Sequence, residues 1–137
     1  MDDQGRDHLG VGERVPVGYY NSTPPTSGDH APDWERCGAF ESPIAPEAQV
    51  HNLEHGFVII NYDLEDQTQI DDLTEVAEGL PGWPNYYILA PYPDLEQSVA
   101  LTAWTTIQSL DTVDADAIRT FANAYRSFGP EPGAPAC

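Results

Sequence analysis

Hydrophobic positions are distributed unevenly along this chain. Residues 1–18 are polar and glycine-containing with little periodicity, which predicts a flexible, partly ordered arm ahead of a single domain at residues 19–137. Across residues 19–50, Pro24, Pro25, Pro32, Pro43 and Pro46 recur every few positions. Proline fixes φ and removes an amide donor, so this stretch excludes long helices and central strands and predicts a loop layer. Tyr19, Tyr20, Trp34 and Phe40 supply apolar area that pins the layer onto a core.

Regular structure is expected from Gly56 onward. Phe57, Val58, Ile59, Ile60 and Tyr62 make a nearly continuous β-branched and aromatic run, the pattern of a strand buried on both faces. The period then changes: Ile70, Leu73, Val76, Ala77 and Leu80 fall at helical spacing over residues 66–79, with Gly79 as terminator. A turn cluster at 81–85 leads into a strand at 86–90, stopped by Pro91 and Pro93, and residues 99–107 predict a third strand. A final helix is capped by Asp114, carries Ile118, Phe121, Ala122, Tyr125 and Phe128 on one stripe, and ends at Gly129 and Pro130. The order β-α-β-β-α predicts a two-layer α+β domain: a small mixed sheet, two helices and a long proline-rich N-terminal loop layer. The same order matches the second half of a thioredoxin-like fold, an alternative that needs a first βα unit within the proline-rich stretch.

Composition narrows the functions. Among 137 residues there are 23 Asp and Glu against 5 Arg and no Lys, a formal net charge of -18. The arginines, Arg6, Arg14, Arg36, Arg119 and Arg126, are scattered. Nucleic acid and anionic lipid need clustered cations, so neither is an expected partner. An acid excess without lysine fits a protein of concentrated salt, where screening removes the self-repulsion; an acidic surface protein of ordinary media is the plainer reading. No run approaches the roughly 20 apolar residues of a membrane span, and residues 1–10 lack the apolar region of a signal peptide, so this chain is expected to be soluble with no membrane insertion of its own.

The two cysteines, Cys37 and Cys137, form neither a CxxC motif nor a thiolate zinc site by themselves. Paired, they would close a loop of about 100 residues, worth up to about 4.7 kcal/mol in the chain-entropy model, and would indicate an oxidising compartment. Two unpaired structural thiols are the alternative. Asn21 opens an Asn-Ser-Thr glycosylation sequon, meaningful only on an exported protein.

The densest chemistry lies at Val50-His51-Asn52-Leu53-Glu54-His55-Gly56. On one helical turn, residues four apart share a face, so His51 and His55 converge with Glu54 beside them. This is also the inverted zincin spelling, in which two histidines bind zinc and the glutamate acts as base, although Gly56 leaves room for only one turn. His30, on the loop between Gly28 and Pro32, offers a third imidazole for copper or zinc. The plainer reading has His51 and His55 as strand-entry histidines bonded to backbone and His30 capping a turn. His8 lies in the arm and is assigned no role. Serine-hydrolase, phosphate-loop and dinucleotide motifs are missing from the sequence.

The segments at 20–30, 50–56 and 101–104, with their Pro-Pro-Thr-Ser-Gly-Asp-His and Val-His-Asn-Leu-Glu-His-Gly motifs, resemble the family known as domain of unknown function 3105. The resemblance covers about residues 19–132 and implies an exported or membrane-anchored protein. His30, His51, Glu54, His55 and Cys37 match family positions. After Trp104 the family usually has glycine where Thr105 stands, and Met1 is the only methionine, which argues against a thioether ligand for copper.

Together these readings predict one copper or zinc ion held by His30, His51 and His55, supported by Glu54 and Asp29, in an extracellular or cell-surface domain for metal handling or delivery. A metal-dependent hydrolase with Glu54 as base is the first alternative. A metal-free surface or self-assembling domain is the second, and protein partners are left open.

Overall fold

The computed structural model describes residues 1–131. Its sheet is built on β2 (Val58–Tyr62), buried along its full length as the continuous apolar run requires. β2 pairs in parallel with β3 (Tyr87–Pro91), Ile59 opposite Ile88, and antiparallel with β4 (Val99–Ala103), Ile60 opposite Leu101. β1 (Gly38–Ala39) adds in parallel to the outer side of β3, and β5 (Thr106–Leu110) adds antiparallel to β4. The five strands lie in the order β1-β3-β2-β4-β5. This is the mixed-sheet α+β class expected from the sequence.

Alternation along β2 divides the core between two faces, since successive side chains of a strand point to opposite sides. Val58, Ile60 and Tyr62 face a cluster containing Leu73 and Ala77 of α2 (Gln67–Glu78) and Ile118 and Phe121 of α3 (Ala115–Tyr125). Ile59 faces the opposite way, among Val50 and Leu53 of α1 (Pro46–Glu54), Cys37, Ile44, Phe57 and Trp104. Both later helices start at acidic caps: Asp66 accepts from the Thr68 amide at 2.8 Å and Asp114 from the Ala117 amide at 3.1 Å.

Three expectations are corrected. The proline-rich stretch is not loop alone, because β1 and the start of α1 lie within it, making three helices rather than two. Pro46 sits in the first turn of α1, where a missing amide costs nothing, and β1 is a two-residue edge strand, so neither violates the constraint proline imposes. The single strand expected at 99–107 is instead two strands folded on each other through Trp104 and Thr105, with Thr105 at φ +57°. Finally, α3 ends at Tyr125, and Phe128, expected on its buried stripe, is exposed. Cys37 is buried in the α1-side cluster; its expected partner Cys137 lies outside the described residues.

Candidate metal centre

α1 carries the motif. Val50 and Leu53 point into the sheet, which turns His51 and Glu54, three apart, toward the loop layer. His55 is the C-cap, and Gly56 follows at φ +92°, where an added Cβ would lie 2.8 Å from the Ser127 Cα. A left-handed glycine thus ends the helix after a single motif turn and lets the 127–131 segment close over it. The Ser127 amide donates to the Gly56 carbonyl at 2.8 Å and the Glu131 amide to the Glu54 carbonyl at 2.9 Å.

The loop layer is fastened to the same helix. Asn52 donates to the Glu35 carbonyl and accepts from the Glu35 amide, each at 2.8 Å, which sets the Trp34 ring edge-on to His55 at 4.6 Å and to His51 at 5.5 Å. The Ala31 amide donates to the Glu47 carbonyl at 3.1 Å. Farther along, the Glu47 carboxylate accepts from Arg14 Nε at 2.8 Å and from the Val15 amide at 3.1 Å. Burial alone would raise the Glu47 carboxyl, but these donors hold it below its ordinary value.

Each expected histidine is oriented through Nδ1. His51 Nδ1 donates to the Ala31 carbonyl at 2.7 Å, His30 Nδ1 to the Gly28 carbonyl at 2.8 Å and His55 Nδ1 to the Glu131 carbonyl at 3.1 Å. A carbonyl only accepts, so Nδ1 holds a proton; in the neutral ring Nε2 then presents a lone pair, the tautomer of a metal-binding imidazole. The Nε2 atoms of His51 and His55 face each other at 3.1 Å. Burial lowers the His51 pKa, His30 and His55 lower it further, and the Ala31 bond and Glu54 oppose the shift.

His30 is fully buried, and its Nε2 has no hydrogen-bond partner among the described residues, lying 3.4 Å from Glu54 Oε1. Glu54 is itself buried; its carboxylate also approaches His8 Nε2 at 3.9 Å and Arg6 at 3.9 Å. Asp29 engages through its backbone: its carbonyl accepts from the Tyr20 hydroxyl at 2.7 Å, and its amide donates to the Tyr19 hydroxyl at 3.2 Å.

The donors gather as two overlapping trios, His51 with Glu54 and His55, and His51 with His30 and His8, each within 4.8 Å. His51 is common to both. The residue missed from sequence is His8, for which a lone histidine in a polar segment gives no local signal. Arg6 and the Glu131 carbonyl were missed for the same reason.

The structure therefore presents an α+β domain with a partly buried cluster of histidines and a glutamate that could hold a metal ion. The family described as "Protein of unknown function (DUF3105)" matches residues 13–137, and the chain belongs to it. No curated protein and no solved structure matches.

Proposed function

We propose that this chain is an extracytoplasmic domain of a salt-adapted protein that binds one transition-metal ion, copper or zinc, for handling or delivery. His51 and His55 are the central ligands, with Glu54 and His30 adjacent. The observation that carries this reading is the 3.1 Å approach of two Nε2 atoms whose Nδ1 partners are both occupied by carbonyls. Two lone pairs at that distance repel unless a cation lies between them. Burial disfavours a proton in that role at His51. Two imidazole nitrogens on one tetrahedral ion stand about 3.3 Å apart, which fits the pair. The carbonyls fix ring orientation in the way outer hydrogen bonds do in metal sites. Export is supported by the family resemblance and by the expected cysteine pair, and salt adaptation by 23 acids with no lysine.

Elemental mass spectrometry of untagged protein purified in high salt is expected to find about one equivalent of copper or zinc, lost in the His51→Ala/His55→Ala double variant. No metal after loading with excess of both ions would overturn the reading in favour of a metal-free interaction domain. The buried Glu54 carboxylate favours one second reading, a metal-dependent hydrolase with Glu54 as base. It requires that Glu54→Gln abolish turnover while metal content is retained.

A further inference from the structure

The arm at residues 1–12 lies outside the matched family region, yet it reaches the site. His8 and His30 form an isolated parallel β-bridge: the Leu9 amide donates to the His30 carbonyl at 2.7 Å and the His30 amide to the Asp7 carbonyl at 3.0 Å. The Gly28 amide donates to the Gly5 carbonyl at 2.9 Å, continuing the attachment along the loop. These contacts set the His8 ring parallel to His51, centroids 5.3 Å apart, and edge-on to His30 at 4.8 Å. A donor of His8 thereby lies within 4.8 Å of donors of His30 and His51. Close by is the buried Nε2 of His30, which has no hydrogen-bond partner among the described residues and lies 3.4 Å from Glu54 Oε1. A buried ring nitrogen without a hydrogen bond is destabilising unless a proton or a cation satisfies it.

We infer that His8 is a ligand of the same transition-metal ion, supplied by the N-terminal arm, which acts as a strap over the His30–His51 side of the site. The inference rests on the metal-binding reading and extends it to a residue beyond the family region. The arm is the part suited to move. Apart from half-buried Leu9 its apolar side chains are exposed, and it is held chiefly by hydrogen bonds rather than by buried apolar contact. Donors on one tetrahedral ion are about 3.3 Å apart, so coordination by His8 would draw the strap toward His30 and His51. His8 is also the exposed member of its trio, which places the entry point for the ion at the strap.

The test uses the full chain with zinc(II) alone, comparing wild type and His8→Ala. Zinc affinity is measured by competition with a chelating indicator, and bound imidazoles are counted by X-ray absorption. Because His8 is exposed, the variant is expected to fold. The inference expects affinity to fall by at least about tenfold, the scale seen even for loss of a group behind the ligands, and the imidazole count to fall by one. Wild type that binds zinc, with an unchanged count or a smaller loss in the variant, overturns the strap ligand and leaves the metal reading standing. Wild type that binds no zinc overturns the inference and leaves copper alone to the metal reading.

Discussion

Thr105 holds φ +57°, a left-handed backbone that its β-branched side chain disfavours. It stands at the tip between β4 and β5, where the family resemblance leads one to expect glycine. The position is kept because the Thr105 amide donates to the Thr26 carbonyl at 2.9 Å, fastening the hairpin to the loop that carries His30. A glycine keeps that amide and removes the strain. Thr105→Gly is therefore expected to stabilise the protein by about 1 kcal/mol, read from denaturant midpoints at unchanged slope. Gly56 is the opposite case: at φ +92° with backbone 2.8 Å from an added Cβ, it has no room for a side chain.

At the scale of elements, α1 is set on the sheet by one polar lock within an apolar contact. Asn61 of β2 donates to Gln49 Oε1 at 2.9 Å, and Gln49 Nε2 returns a bond to Asn61 Oδ1 at 3.3 Å, with both residues fully buried. A pair of buried amides that satisfy each other specifies how the helix sits. Asn61→Leu leaves the Gln49 amide short of its partner and is expected to cost about 1–3 kcal/mol in thermal or chemical unfolding. The Gln49→Leu/Asn61→Leu double variant should recover part of that loss, since neither amide is then stranded, and the remainder includes the bond Gln49 Nε2 donates to the Ile44 carbonyl at 3.2 Å. If the single variant were as stable as wild type, this lock would not be what orients α1, and with it His51 and Glu54.

For the molecule as a whole, a net charge of -18 on 137 residues opposes compaction at low ionic strength. Raising salt from 0.1 M to 1 M shortens the screening length from about 10 Å to about 3 Å. Thermal stability is expected to rise with potassium chloride over that range, by roughly 4 °C for each kcal/mol of repulsion removed. A transition temperature flat in salt would show that the acids are already spaced or paired well enough to matter little. The arrangement of Glu47 under Arg14 and the Val15 amide shows how one acid is accommodated, by donors from the segment that joins the arm to the loop layer.

Local pattern determined β2, α2, β3 and α3: continuous apolar runs mark the two strands, apolar spacing of three to four marks the two helices, and the helix caps at Asp66 and Asp114 are single-residue signals. The motif also singled out His51, Glu54 and His55, whose nearness is a property of one helical turn, and His30 through its turn of glycine and proline. What tertiary structure alone decided was long-range. The β1 strand of Gly38 and Ala39 exists only because β3 lies beside it, and two residues carry no period. The fold at Thr105 was hidden because a threonine reads as strand where the backbone turns. The placement of His8 depends on a β-bridge to His30, and backbone pairing of this kind asks nothing of side-chain identity, so no pattern in the arm records it.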